Sequence, residues 1–217
     1  MATKTQPNVL GDWLKWEQDN LYSREQITVL SGQNLKTGTV IGKVTVGGVT
    51  GAAVAGNTGD GTIGTLSAGT GARPGVYRAT CIEPATNLGK FAVEDPNGVG
   101  IGVATVGTAF SGQVVFTIAD GAADFISGDA FTITVAAGSG KVKASPLTAA
   151  DGSDSAAGVL AFDVDASAGD KAGVIIFRAA LAGLAGLVYD ASIDDSTKKA
   201  AKHTQLAALG ITVRQSE

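Results

Sequence analysis

Glycine occurs at 31 of the 217 positions and separates short runs that are rich in valine, isoleucine and threonine. Glycine permits tight turns and weakens helices, whereas β-branched residues favour strands. The glycines follow no three-residue period, which excludes a collagen-like chain. Hydrophobic residues make up 44% of the chain and charged residues 17%, a balance that favours folding over disorder. The sequence therefore predicts short strands joined by tight turns around a real core.

Most of these runs alternate apolar and polar residues, which is typical of strands with one buried face. One helix is expected over residues 195–208, with Asp194 as its N-cap and Gly210 as its C-terminal stop. We therefore predict a mainly β fold with one C-terminal helix. The predicted strands are 27–30, 39–46, 75–82, 91–94, 101–106, 114–118, 131–135, 141–144, 158–162 and 174–178.

Glycine- and alanine-rich stretches near residues 51 and 136–140 are typical of linkers. They divide the chain into a core domain (22–50 and 141–217) and an inserted all-β, sandwich-like domain (51–140). Residues 1–21 precede both and are expected to form an extended arm, because residues 8–16 show no clean helix or strand period. This arm holds both tryptophans, Trp13 and Trp16. Two interpretations stay open: they pack on the protein's own core, or they dock on a partner.

No arrangement of residues indicates catalysis. His203 is the only histidine and Cys81 the only cysteine, and neither lies in a nucleophile motif. The glycine-rich stretch 56–61 lacks the lysine and hydroxyl residue that end a phosphate-binding loop. No run matches a calcium loop. We therefore expect a protein that is not an enzyme and that has no cofactor and no metal.

Charge and hydropathy restrict the classes of binding partner that we expect for this chain. The formal net charge is −4, and the basic residues are scattered rather than grouped in a stripe, so direct contact with nucleic acid is not expected. The uncharged stretch 99–119 is rich in glycine and threonine and predicts two strands rather than a membrane span. The first seven residues lack the apolar core of a signal peptide. We expect no membrane partner and synthesis in the cytoplasm of a host cell.

Four strings carry a resemblance to a known family. They are YSREQITV (Tyr22–Val29), SGQNLKTGTVIGKV (Ser31–Val44), AAGVLAFDVDA (Ala156–Ala166) and QLAALGI (Gln205–Ile211). In this order they resemble the head decoration proteins of tailed bacteriophages, of the lambda type, over residues 22–46 and 141–217. The segment 51–140 departs from the small members of that family and is similar to extra β domains of larger members.

The resemblance implies a structural protein of the virion. Such proteins form homotrimers on the outer surface of the expanded capsid, where they clamp the major capsid protein against internal DNA pressure. The N-terminal arm resembles the family's capsid-binding arm, and pairing with an exposed capsid strand would follow the rules of β-augmentation. The candidate capsid contacts are Val9, Leu10, Trp13, Leu14, Trp16, Tyr22 and Arg24.

An alternative concerns the segment 51–140. It would act as a surface binding module on the phage particle and contact the host or carbohydrate. A simpler possibility is that it enlarges the contact between neighbouring trimers.

Overall fold

The computed structural model describes residues 6–215, and strands dominate it. The first half contains α1 (Leu10–Trp13), β1 (Leu14–Glu17), β2 (Arg24–Val29), β3 (Gln33–Leu35), β4 (Val40–Lys43), β5 (Val46–Ala53), β6 (Thr62–Ala68), β7 (Gly75–Ala85), β8 (Leu88–Glu94) and β9 (Gly100–Thr105). The second half contains β10 (Ala109–Ser111), β11 (Val114–Ala119), β12 (Ala130–Ala137), β13 (Val142–Ala144), β14 (Ala156–Leu160), β15 (Val164–Ala166), β16 (Lys171–Ile176), β17 (Ala180–Gly183), a 3₁₀ turn (Leu184–Gly186), α2 (Ser196–Ala208) and β18 (Ile211–Arg214).

The mainly β fold class is confirmed, and every run predicted as a strand overlaps one. The run 39–46 is divided between β4 and β5. The predicted helix is α2, but its N-cap is Asp195, whose carboxylate accepts the backbone N–H of Lys198 at 2.8 Å. The expectation of Asp194 as the cap was wrong by one residue. The Asp194 carboxylate instead forms an ion pair with the Lys198 ammonium at 2.5 Å.

The chain forms two compact units. Within the described residues, unit 1 comprises 6–44, Gly140–Ala149 and 153–215. Unit 2 comprises Thr45–Ser139 with Ala150–Gly152.

Unit 1 is built on a closed five-stranded barrel in the order β13-β2-β16-β14-β4. Alternate residues of its strands enter two different apolar clusters: Ile41 and Leu160 join one, and Val40 and Val159 join the other. Strands β4 and β14 and the end of β16 are therefore buried on both faces, which explains continuous apolar runs such as Val174–Ile176. The second cluster also contains residues of α1, α2 and the sheet β1-β17-β18, so these elements cover that face of the barrel strands.

Unit 2 consists of a five-stranded sheet, β5-β12-β7-β8-β9, and a three-stranded sheet, β10-β11-β6. Both sheets contribute to one core, as a sandwich-like arrangement requires. Phe91, Phe125 and Phe131 pack against one another there, with ring centres 5.1–5.8 Å apart. Aromatic groups supply much buried area per residue, which suits a unit whose strands are rich in glycine and alanine.

The buried carboxylate of Asp129 organises the loops of unit 2. It accepts the backbone N–H groups of Thr58 and Gly59, both at 2.9 Å, and of Ile126 at 3.0 Å. Burial raises the pKa of Asp129, but these three donors together outweigh it and lower the pKa below its ordinary value. The ionised carboxylate is therefore the form that the folded unit prefers.

We expect Asp129→Asn to lower the free energy of unfolding by about 1–3 kcal/mol, because an amide cannot accept all three N–H groups. The folded pKa lies below the unfolded one, so the stabilisation is complete above about pH 4 and is lost as pH falls through the folded pKa. Hydrogen exchange of the Gly59 and Ile126 amides, against the exposed control Glu94→Gln, measures both effects. Equal exchange in the variant and the wild type at neutral pH would contradict this role.

Candidate functional site

The segment expected to be an extended arm is folded from Asn8 onward. The Asn8 amide donates to the carbonyl of Gly186 at 2.7 Å. The Asp12 carboxylate accepts the Val9 N–H at 2.8 Å and closes the single turn of α1. Strand β1 then pairs antiparallel with β17. The extended form is thus incorrect for residues 10–13, which form α1, whereas residues 14–17 are extended but pair within unit 1. Residues 1–5 lie outside the described part of the chain.

Trp13 is the side chain that fixes this segment. It is fully buried, and its indole N–H donates to the Thr37 hydroxyl at 3.0 Å. The Thr37 hydroxyl donates in turn to the carbonyl of Ala161 at 2.7 Å. A Cβ at Gly186 would lie 2.7 Å from the Trp13 Cβ, so only glycine permits this approach. Trp13 therefore belongs to the protein's own core and presents no surface to a partner in this conformation.

The structure divides the remaining candidate contacts between core and surface. Leu10 and Leu14 are half-buried against the same cluster as Trp13. The Arg24 guanidinium donates through Nε and Nη2 to the Glu17 carboxylate, with the shortest contact at 2.5 Å. Half or nearly half of the surface of each of three candidates is exposed: Val9, Trp16 and Tyr22.

The turn after β1 is anchored by Ser23, which is fully buried. Its hydroxyl accepts the N–H of Gln18 at 3.0 Å and donates to the carbonyl of Ala179 at 2.8 Å. The strand and turn expose three large apolar or aromatic side chains, which we call the corner surface: Trp16 (53% exposed), Leu21 (67%) and Tyr22 (51%).

Backbone strain accompanies this exposure. Asn20 and Leu21 have φ values of 58° and 60°, and Ala179, which anchors the turn, has a φ of 44°. Left-handed backbone costs a non-glycine residue roughly 1–2 kcal/mol. Strain of this kind collects at functional sites, where surrounding contacts hold it in place. In this turn, Leu21 has both a strained backbone and a highly exposed side chain.

Arg178 holds Tyr22 in place. Its guanidinium lies over the Tyr22 ring at 3.9 Å and over the Phe177 ring at 4.3 Å. Its Nε also donates to the Tyr22 carbonyl at 2.9 Å. Cation–π contact and a hydrogen bond thus fix both the ring and the backbone of one residue. In the sequence, Arg178 is the last residue of the predicted strand 174–178, and no motif or pattern marks Leu21. Neither residue was therefore predicted to contact the capsid.

His203 and Cys81, the only histidine and the only cysteine of the sequence, both pack against other residues of the protein. The Tyr189 hydroxyl lies 2.6 Å from Nε2 of His203. Burial lowers the pKa of His203, with help from Lys199, and raises the pKa of Tyr189 to about 12. Burial also raises the pKa of the Cys81 thiol, which disfavours its reactive thiolate.

Within residues 6–215, no group of three or more histidine, cysteine, aspartate or glutamate side chains is arranged to hold a metal ion. In the same described part of the chain, no helix is long and apolar enough to cross a membrane.

The corner surface thus exposes apolar and aromatic side chains, while contacts of Ser23 and Arg178 within unit 1 hold its backbone and the Tyr22 ring. The family model described as bacteriophage lambda head decoration protein D matches residues 3–211. The chain belongs to that family, as its sequence strings indicated. Membership implies a structural role on the phage capsid, and hence a place on the virion.

No curated protein matches the chain. Two crystal structures of FlgL from Xanthomonas campestris align with 46% and 45% of the chain at 20% identity, each with a TM-score of 0.33. The chain spans about a third of those proteins (33% and 31% of their lengths).

The two tryptophans should differ sharply on truncation. We expect Trp13→Ala to lower the free energy of unfolding by about 3–5 kcal/mol, because it leaves a cavity and removes the hydrogen bond to the Thr37 hydroxyl. Trp16→Ala should change it by no more than about 0.5 kcal/mol, as is usual for exposed positions. Urea unfolding followed by circular dichroism measures both. Similar losses in the two variants would show that the burial assignment is wrong.

Glycine at position 21 should relieve the backbone strain of the turn. Leu21→Gly should leave the free energy of unfolding unchanged or raise it by about 0.5–1 kcal/mol, because glycine adopts the left-handed conformation without strain. Leu21→Ala removes the side chain but retains the strain, and it should give no gain. Thermal unfolding of the pair separates the two effects. A larger loss in the glycine variant than in the alanine variant would mean that strain at Leu21 is not significant.

Proposed function

We propose that the protein binds the outer surface of the expanded phage capsid as a homotrimer, contacts the major capsid protein and stabilises the head against internal DNA pressure. The observation that carries this proposal is the match to the head decoration family over residues 3–211. The trimer, the expanded state and the resistance to pressure go beyond that match and are the parts that need an experiment.

The corner surface is the contact that we propose for the capsid. Exposed Trp and Tyr side chains often dominate the energy of an interface once a partner desolvates them. The contacts of Ser23 and Arg178 hold this surface before binding, which reduces the entropy that binding must remove. Tyr22 and Trp16 would act as anchors, with Leu21 between them in the chain.

Strand β1 adds a second element to the same contact. It is the outer strand of the sheet β1-β17-β18, and an edge strand can accept a further extended segment. We propose that a capsid segment pairs along β1, next to Trp16. Val9, which is exposed and precedes α1, would extend this contact.

Stabilisation of the head then follows from mass action. A ligand that binds only the expanded shell favours that state by an amount that grows with its concentration relative to Kd. A capsid offers many equivalent sites, so modest binding energies at each site add up over the whole shell.

The exposed side chains of unit 2 do not favour the alternative of carbohydrate binding. The large hydrophobic side chains that unit 2 exposes within the described residues are all aliphatic, and aliphatic groups provide no ring face for stacking on a sugar. They are Val76, Ile82, Leu88, Val99, Val103 and Ile126.

The test uses expanded shells, free of decoration protein, of the phage that encodes this chain. The triple variant Trp16→Ala, Leu21→Gly, Tyr22→Ala should bind these shells about 100-fold or more weakly in co-sedimentation, because it removes the proposed anchors. The matched control Val76→Ala, Ile82→Ala, Leu88→Ala removes as many exposed apolar side chains from unit 2 and should bind like the wild type.

Two outcomes would overturn separate parts of this proposal. Wild-type binding by the triple variant would reject the corner surface as the contact. A monomer mass by light scattering, both free and eluted from shells, would reject the homotrimer. Heating of DNA-filled heads with and without the protein tests the resistance to pressure.

A further inference from the structure

Lys202 is a buried lysine on α2, with 2% of its surface exposed. Its ammonium donates to the Ser145 hydroxyl at 2.8 Å, to the Pro146 carbonyl at 2.7 Å and to the carbonyl of Asp154. Lysine is almost never fully buried unless its charge is matched by partners. The arrangement therefore needs a specific explanation, and neither the family match nor the proposed capsid contact provides one.

The three oxygens are directed at a common point by their own neighbours. The Ser145 hydroxyl donates to the Ser153 carbonyl at 2.9 Å, which leaves its oxygen free to accept. Ser153 in turn lies so close to β4 that a Cβ at Gly42 would be 1.8 Å from its carbonyl oxygen. This packing places the residues after β13 beside the residues before β14. Two carbonyls and a hydroxyl thereby form an oxygen-lined site.

The number of hydrogen-bond acceptors around Nζ shows which charge state of Lys202 fits this site. A neutral amine has two N–H groups, whereas an ammonium has three and accepts nothing. Three acceptors around one nitrogen therefore match the charged form. Burial lowers the pKa of Lys202, while the nearby charges of Asp154 and Asp190 oppose that effect.

We propose that Ser145, Pro146 and Asp154 form an internal cation site whose resident ligand is the ammonium of Lys202, supplied when α2 docks. The helix thus brings the charge that these oxygens need, and the residues after β13 and before β14 become ordered together with it. A second contact supports the same coupling, because Gln205, one turn further along α2, accepts the Ala156 N–H at 2.9 Å.

Hydrogen exchange tests the coupling. Lys202→Met keeps the aliphatic stem and removes the charge, so exchange of the Leu147 and Ala156 amides should accelerate about tenfold or more. These amides report locally, since they donate to the side chains of Ser192 and Gln205. The control Lys199→Met changes a half-buried lysine of the same helix and should leave the exchange as in the wild type. Wild-type exchange in Lys202→Met would overturn the proposal.

Chemical rescue distinguishes charge from volume. Lys202→Ala opens a space that n-propylammonium fills, and this ion should raise the melting temperature of the variant or recover its folded fraction. n-Propanol has nearly the same shape without the charge and should not do so. Equal rescue by both would mean that the site needs volume only, and no rescue by the ammonium would reject a cation site.

The wild-type protein provides a measurement that does not depend on any variant folding. The ¹⁵N resonance of the Lys202 side chain should show an ammonium with three protons that exchange slowly at neutral pH. Rapid exchange, as in an exposed lysine, would reject the cation site even if the variants do not fold.

Discussion

Two-sided burial of the barrel strands β4 and β14 is the constraint on which unit 1 depends. Because neighbouring residues such as Val40 and Ile41 enter different clusters, the barrel can fill its interior and still leave an apolar outer face. Water would contact that face unless other elements covered it. The helices α1 and α2 and the sheet β1-β17-β18 provide this cover, so segments near both ends of the chain are part of the core.

This constraint explains which strands could be predicted from the sequence and which could not. Alternation identified the strands of unit 2, and the apolar run 174–178 identified β16. Strands such as β17, with the sequence ALAG, carry no strand propensity of their own. β17 forms because β1 pairs on one side and β18 on the other, and the three lie far apart in the chain. Local patterns carry no information about such pairings.

The same limit applies to the site. Trp13 and Trp16 lie three residues apart in a segment without a clear period, and nothing local separates a core residue from a surface one. The difference depends on the close approach that Gly186 allows, which is a tertiary property. Leu21 adopts a left-handed backbone conformation that its residue type disfavours, so conformational propensity does not predict this turn. Trp16 and Tyr22, in contrast, were candidates from the sequence and are exposed at this corner.

The location of the two tryptophans has a practical consequence. Both belong to unit 1, whereas unit 2 has none, so intrinsic indole emission is a label-free probe of unit 1 alone. Trp13 supplies a constant signal from an apolar environment, and Trp16 supplies one that is sensitive to solvent. A blue shift upon addition of a partner, with Trp13 as an internal reference, would report desolvation of one side chain in real time.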